Sequence, residues 1–224
     1  MIRSRQHAVL AGMSLCLLAA ACLWLANEGR NWPGVVMERA INRGEAVATD
    51  KLVAFWHDTR EVGDTPLPGG HAHLPGLVGY TLAQDPNLPV FRRAEILLQA
   101  EQATRAALLR EPADARAWAR LAWFLDQRKG QASQLLDALR LSMYFAPADG
   151  RLVFWRVQTA ARYRPNWNAD FEQLLARQVV LGWRVSPARL VQIVQTTNLH
   201  DWVREVLNNS GADMEQFDLR MNKA

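Results

Sequence analysis

The sequence contains few of the residues and patterns on which enzymes and metal sites usually depend. Only two of its 224 residues are cysteines, Cys16 and Cys22, and none follows them. A disulfide framework or a thiolate metal site is therefore excluded from the rest of the chain. The sequence also has no phosphate-binding glycine loop, no nucleophile elbow and no helical His-Glu-x-x-His pattern. We therefore expect neither an enzyme nor a cofactor.

An excess of charge of one sign is also missing. The chain has 26 Lys and Arg residues against 22 Asp and Glu residues, which gives a formal charge of +4. Arg3 and Arg5 supply two of the positive charges, and the other arginines are scattered among acids. Nucleic-acid-binding domains usually concentrate their basic residues on one face. We therefore expect no nucleic-acid partner.

One stretch near the N-terminus contains no charged residue at all. Residues 8–26 read AVLAGMSLCLLAAACLWLA. A helix of this length rises about 28 Å, which is close to the apolar thickness of a bilayer. Arg3 and Arg5 precede the stretch, and positive charge favours the cytoplasmic side. The sequence therefore predicts a single-pass inner-membrane anchor over 8–26, with a cytoplasmic N-terminus and a periplasmic C-terminal domain.

Two other interpretations of this stretch remain open. The small residues Ala19, Ala20 and Ala21 would suit a cleaved signal peptide, and Cys22 could end a lipoprotein signal. The apolar run continues to Ala26, beyond both candidate cleavage sites, and this favours the uncleaved anchor. All three interpretations place the remainder of the chain outside the cytoplasmic membrane.

A short phrase occurs twice in the middle of the chain. Pro-Ala-Asp-Ala-Arg at 112–116 returns 35 positions later as Pro-Ala-Asp-Gly-Arg at 147–151. A period of about 34 residues is typical of helix–turn–helix repeats. Apolar residues also recur at helical spacing, and no alternating run of strand length follows residue 90. The sequence therefore predicts an all-α fold, with helices over about 90–110, 115–127, 131–145, 151–163 and 168–181, one opening at Ser186-Pro187 and a last one after Asn198.

Composition divides the chain into four segments. The ten glycines and prolines between 63 and 89 predict an ordered but irregular loop without long helices. Before that loop, a short helix with Pro33 in its first turn and a second one opening at Thr49 are expected. The predicted segments are the anchor (8–26), a connector with short helices and the Pro/Gly-rich loop (27–89), an antiparallel helical domain (90–208) and a C-terminal tail (209–224).

The middle of the chain resembles the tetratricopeptide repeat. Trp118, Leu121 and Ala122 match the opening positions of a repeat, and Ala100 and Ala107 match the two alanines of the preceding one. The match departs from the family pattern where leucine replaces tyrosine at 125 and where the closing proline at 147 lies one residue late. The resemblance covers about 90–165 and implies a short helical array that binds proteins.

A looser resemblance extends over more of the chain. The leader, the phrase LRLSMYFAPADGRLVFWRV and the final pair beginning SPARLVQIVQTTNLHDWVREVL are similar to the VpsP-like, membrane-anchored proteins of bacterial exopolysaccharide gene clusters. This implies a scaffold or adaptor that binds protein partners of the envelope, in exopolysaccharide biosynthesis or export. Two alternatives remain: a periplasmic protein that binds or modifies glycans, and an assembly factor of a pilus or secretion system.

In tetratricopeptide proteins, the first helix of each pair lines the concave face. By that resemblance, the expected partner-binding residues are Arg116, Trp123, Arg151, Phe154 and Arg162. Guanidinium groups bind carboxylates, and aromatic faces pack on side chains or sugars, so an acidic polysaccharide is a further possible partner. The alternative is that the two aromatic residues belong to the core and the arginines are merely solvated.

One pair of histidines invites comparison with a metal site. His71 and His73 lie two residues apart in the glycine-rich loop. Two histidines can chelate an ion, but a protein site needs a third ligand in fixed geometry. No residue supplies that ligand by spacing, so the sequence predicts no metal site.

Overall fold

The computed structural model describes residues 2–61, 71–211 and 214–223. Within these residues the chain forms eleven α-helices and a 3₁₀ turn at Arg164–Asn166, with no β-strand, so the all-α prediction is confirmed. The helices are α1 (Ile2–Asn42), α2 (Thr49–Glu61), α3 (Leu74–Ala83), α4 (Val90–Arg110), α5 (Ala115–Gln127), α6 (Ala132–Phe145), α7 (Val153–Ala161), α8 (Ala169–Val185), α9 (Pro187–Gln195), α10 (His200–Asn209) and α11 (Met214–Lys223).

The helices from α4 to α10 begin and end close to their predicted positions, and at α5 and α8 a local side chain caps the first turn. Asp114 caps α5, since one of its carboxylate oxygens accepts hydrogen bonds from the backbone N–H groups of Arg116 and Ala117. Asn168 caps α8 in the same way. Between α5 and α6 the chain reverses at Lys129, whose φ is 51°. Such local signals can be recognised in a sequence without its tertiary context.

Helix α3 lies inside the stretch for which the sequence predicted an irregular loop. Pro75 does not break this helix, because it occupies the first turn, where a backbone N–H would have no partner. Two glycines let α3 lie close to its neighbours: a Cβ at Gly76 would stand 2.3 Å from Thr104 Oγ1, and one at Gly79 would stand 2.4 Å from Ala100 Cβ. These glycines therefore permit close packing on α4 instead of ending the helix.

The N-terminal helix also differs from expectation. The sequence predicted a separate short helix with Pro33 in its first turn, but α1 continues through Pro33 to Asn42, so that prediction is wrong. The end of α1 is held by packing: a Cβ at Gly34 would stand 2.7 Å from both Leu74 Cδ1 and Phe55 Cζ. No helix in the described part of the chain is long and apolar enough to cross a membrane. The anchor over 8–26 accordingly stays a prediction.

The C-terminal tail predicted over 209–224 contains a docked helix. Phe217 of α11 is fully buried, and its ring lies 5.9 Å from that of Trp183 on α8. On the outside, the two guanidinium nitrogens Nε and Nη2 of Arg204 on α10 donate to the carboxylate of Asp218 at 3.1 and 3.0 Å. The last helix therefore contributes to the core.

Two groups of buried apolar side chains hold the helices together. The C-terminal core extends from Leu108 on α4 to Phe217 on α11 and includes side chains of every helix between them. The smaller N-terminal core joins α1 to α4 and reaches α5 through the buried Phe124 and the partly buried Trp123. Its buried members are Met37, Leu52, Trp56, Val78, Leu82, Ala83, Leu88, Ile96, Ala100 and Phe124.

A buried arginine links the helices of the C-terminal core. Arg156 on α7 donates five hydrogen bonds, to the carbonyl and hydroxyl oxygens of Ser142, to the Ala146 carbonyl and to Gln178 Oε1. Ser142 in turn donates to the Ala115 carbonyl at 2.8 Å. The network thus connects α5, α6, α7 and α8. Arg156 adds side-chain donors to two carbonyls at the end of α6, those of Ser142 and Ala146, which also accept long backbone bonds from Ala146 N and Asp149 N at 3.3 and 3.4 Å.

Candidate functional site

An open cleft of ≈ 440 Å³ lies where the ends of several helices meet, and we call it the junction cleft. It is bordered by the end of α1, by α3 and by the turns that lead from α4 to α5 and from α6 to α7. Its lining residues are Glu38, Asn42, His73, Leu77, Glu111, Ala113, Asp114, Ala115, Arg116, Arg120, Phe145, Ala146 and Asp149.

The two copies of the repeated phrase meet at the junction cleft. Asp114 in the first copy caps α5, and Arg116 in the same copy points its Nε at Asp149 of the second copy, 3.6 Å from Oδ2. Asp149 also accepts a hydrogen bond from Arg151 Nε at 3.3 Å. The phrases therefore form one charged border of the cleft, which neither copy could form alone.

The charges in the junction cleft do not cancel. Four carboxylates and two guanidinium groups line it, so its formal charge is −2 with a neutral histidine. One of the guanidinium groups, that of Arg120, is only 9% exposed. Its closest acidic contact is long, 3.5 Å from Nη2 to Asp114 Oδ2, and its Nε has no hydrogen-bond partner among the described residues. Burial lowers the pKa of Arg120, and the charge of Asp114 opposes this shift.

The five residues expected to bind a partner occupy different environments. Arg116 borders the cleft and also donates to Asn42 Oδ1 at 3.3 Å, and Arg151 is exposed beside it. Trp123 packs edge-on against Tyr80 at 4.8 Å, at the margin of the N-terminal core. The structure therefore brings the two arginines close to one another, but it places the tryptophan against the core.

The other two expected residues lie elsewhere. Phe154 is only 4% exposed and belongs to the C-terminal core, so it is unsuited to contact a partner. Arg162 is exposed, and its Nη2 lies 2.6 Å from Asp126 Oδ2. Asp126 also accepts a hydrogen bond from the hydroxyl of Tyr163, whose pKa is raised by burial and by that bond. A surface formed by all five residues does not exist in the described part of the chain.

A second depression, of ≈ 490 Å³, lies between α8 and α10, and we call it the α8–α10 groove. Arg177 and Arg184 are exposed on its α8 side, and neither contacts an acidic side chain among the described residues. The remaining lining is apolar or uncharged. The lining residues are Gln173, Ala176, Arg177, Val180, Leu181, Arg184, Val206, Asn209 and Ser210.

Apolar periodicity does not reveal this groove, because in α8 it marks only the side that faces the core. A signal is nevertheless present in the sequence. Val180 and Leu181 stand between two arginines spaced seven residues apart, which places both arginines on one face of the helix. Val206 comes from α10, so the groove as a whole depends on the packing of two helices.

Comparison with known proteins finds no matching family model, no matching curated protein and no matching solved structure. The resemblances to the tetratricopeptide repeat and to the exopolysaccharide-associated proteins stay predictions of the sequence. The function proposed below is therefore argued from surfaces and charges.

Proposed function

We propose that this protein is a helical adaptor that binds an acidic, amphipathic segment of a partner protein in the α8–α10 groove. The observation that carries the proposal is the pair Arg177 and Arg184, two exposed guanidinium groups without acidic partners in the described residues, on either side of apolar side chains. In this proposal the helices form a tetratricopeptide-like array. The adaptor binds its partner through surface complementarity and catalyses no reaction.

The geometry of the groove indicates what kind of segment would fit. Two residues seven apart on a helix are separated by about 10.5 Å along its axis. A partner helix with apolar residues at i, i+3 and i+4 could place them over Val180, Leu181 and Val206. Carboxylates two turns apart on that helix would then reach Arg177 and Arg184, and guanidinium–carboxylate pairs would fix its orientation.

The location of the adaptor is a separate part of the proposal. Residues 8–26 carry no charge, and the described side chains of α1 in this range include Met13, Leu15, Leu17, Leu18, Leu23 and Leu25, all 59–73% exposed. Exposed apolar side chains at this density favour a non-aqueous environment. We propose that they hold the protein at the inner membrane, with the helical domain in the periplasm, and that the partner belongs to an envelope assembly for exopolysaccharide biosynthesis or export.

Site-specific photo-crosslinking tests the groove in the full-length protein. A photoreactive residue replaces the exposed Gln173, and cells of the native host are irradiated. We expect one dominant adduct, with the crosslink in a partner segment whose Asp or Glu residues flank apolar ones. Arg177→Glu with Arg184→Glu should reduce the adduct at least about tenfold, because the loss of a charge pair across an interface costs about 2 kcal/mol or more.

A matched control is provided by two exposed arginines on α4. Arg92→Glu with Arg110→Glu changes the net charge equally, far along the chain from the groove, and should leave the adduct unchanged. Partner binding in the groove would be contradicted by either of two results. The adduct could persist when the charges of Arg177 and Arg184 are reversed, or it could be lost to the same extent in the α4 variant. Fractionation of the same cells tests the location, and recovery of the untreated full-length protein in the soluble fraction would contradict the anchor without affecting the groove.

A further inference from the structure

Three metal-ligating side chains meet in the junction cleft. His73, Glu111 and Asp114 each offer one ligand atom, and these atoms all lie within 4.8 Å of one another. Each of the three residues is half-buried. We propose that this cluster binds a divalent transition-metal ion, for which Zn²⁺ is the probe. The proposal is independent of the α8–α10 groove.

The three ligands are positioned by the ends of three different helices. His73 precedes the first residue of α3, Glu111 follows the last residue of α4, and Asp114 precedes the first residue of α5. Ligands around a tetrahedral ion with bonds of about 2.1 Å lie about 3.4 Å apart, so ligand atoms that all lie within 4.8 Å of one another need to close by at most about 1.4 Å. Rotation of the glutamate side chain can supply such a movement without any shift of the helices.

A fourth residue orients the histidine. Nε2 of His73 lies 3.0 Å from Glu38 Oε1 on α1. Metal-bound histidines commonly donate their second ring N–H to a carboxylate, which fixes the ring and raises the basicity of the ligating nitrogen. In this arrangement Glu38 holds Nε2, and the proposal assigns Nδ1 to the ion. One imidazole and two carboxylates then leave coordination positions open to water or to a side chain of a partner.

The surroundings of the cluster also favour a cation with a further ligand. The formal charge of −2 in the junction cleft is neutralised by one divalent ion. Arg120 is nine-tenths buried in the lining, and its Nε lacks a hydrogen-bond acceptor among the described residues. A water, hydroxide or carboxylate that completes the coordination of the ion would accept a hydrogen bond from this donor. A buried donor without an acceptor costs about 1–3 kcal/mol, so this position favours an occupied site.

Sequence spacing could not reveal this site. His73 belongs to the pair of histidines in the glycine-rich loop, but Glu111 and Asp114 follow it about forty residues later. They approach the histidine only because α3 packs along α4 and because the turn between α4 and α5 lies beside the start of α3.

Calorimetric titration of the full-length protein with Zn²⁺ tests the proposal. The protein carries Cys16→Ser and Cys22→Ser, because both thiols are exposed and could bind the ion themselves. After removal of bound metal with EDTA and exchange into chelator-free buffer, we expect one ion per chain. His73→Ala, Glu111→Gln and Asp114→Asn should each weaken binding about 100-fold or abolish it. Glu38→Gln should weaken it about 10-fold, as is usual for a residue that orients a ligand.

The variants are chosen so that loss of binding is separable from loss of folding. Asparagine caps helices as well as aspartate, so Asp114→Asn retains the start of α5. Visible absorption of bound Co²⁺ gives a second readout that follows coordination directly, and circular dichroism of each metal-free variant should match the parent. His200→Ala is the matched control, because this histidine lies 3.0 Å from a carboxylate but has no third ligand within the described part of the chain.

Four results would overturn the proposal. The first is the absence of saturable binding near one ion per chain. The second is unchanged affinity in His73→Ala together with unchanged affinity in Glu111→Gln. The third is an equal loss of binding in the His200→Ala control. Retained Zn²⁺ binding with normal circular dichroism in all three ligand variants would likewise show that the ion binds elsewhere.

Discussion

Two buried arginines distinguish two regions of this protein. In the C-terminal core, Arg156 is fully buried and donates five hydrogen bonds that join α7 to α6 and α8. Beside the junction cleft, Arg120 is buried nearly as deeply, but it has one long contact with Asp114 and an Nε without an acceptor in the described residues. The hydrogen-bond donors of Arg156 have acceptors within the protein, whereas Nε of Arg120 has none among the described residues.

The difference has a physical meaning for each region. Burial lowers the pKa of Arg156 to about 10, which still leaves it charged near neutral pH. Its charge is stabilised by carbonyl oxygens at the end of α6, so it acts as a structural link. A buried charge with unused hydrogen-bonding capacity contributes little to stability. Arg156 therefore acts in folding, whereas the unused donor of Arg120 is available to the ligand proposed for the junction cleft.

The largest effect is expected for Arg156→Ala. The substitution leaves a cavity and removes the donors to Ser142, Ala146 and Gln178 inside the C-terminal core. Such losses typically reduce the free energy of unfolding by about 3–5 kcal/mol. Urea denaturation followed by circular dichroism measures the change. The exposed Arg151→Ala should stay within about 0.5 kcal/mol of the parent, and a similar small loss in Arg156→Ala would remove the distinction between the regions.

A smaller loss is expected for Gly79→Ala in the N-terminal core. The new Cβ would stand 2.4 Å from Ala100 Cβ and 2.9 Å from the Trp56 ring, so α3 must move away from α4. Overpacking costs about 1–3 kcal/mol and outweighs the up to about 1 kcal/mol that alanine contributes through helix propensity. Thermal unfolding measures the result. Gly150→Ala is the control, since its Cβ would meet Val185 at an ordinary 3.6 Å.

Removal of the aspartate should change the free energy of unfolding by different amounts in the two copies of the repeated phrase. Asp114 accepts hydrogen bonds from two backbone N–H groups at the start of α5. Asp149 accepts one backbone bond, from the N–H of Arg151, and its other contacts are with the side chains of Arg151 and Arg116. We expect Asp114→Ala to lower the free energy of unfolding by about 1 kcal/mol, and Asp149→Ala to lower it by about half as much. Equal losses in urea denaturation would mean that the capping bonds do not explain the difference.

The smallest change in stability is expected for Arg120→Met. Methionine fills a similar volume without a charge, and replacement of a poorly satisfied buried charge by an apolar side chain is often neutral or stabilising. The free energy of unfolding should therefore change by less than about 1 kcal/mol in either direction. A loss above about 2 kcal/mol would show that the guanidinium group is as well satisfied as that of Arg156, and would weaken the contrast on which the assignment of the cleft rests.

The local part of the fold could be predicted, and the reasons are visible in particular residues. Asp114 and Asn168 begin helices through bonds within three residues, and the apolar spacing of α4 to α10 follows the helical period. Helix α3 was missed because Gly76 and Gly79 have the appearance of helix breakers until Thr104 and Ala100 are placed against them. The partner-binding role expected of Phe154 failed for a related reason, since helical spacing does not distinguish a concave surface from a core.

The amino-acid sequence alone was sufficient to predict the all-α class and most helix ends, because caps, turns and hydrophobic periods act over a few residues. Packing between distant helices decided which side chains became neighbours. It brought Glu38, His73, Glu111 and Asp114 into one cleft. It left Arg177 and Arg184 without acidic partners in the described residues, whereas Arg156 donates five hydrogen bonds. Contacts of this kind depend on the positions of whole helices, which local sequence does not encode.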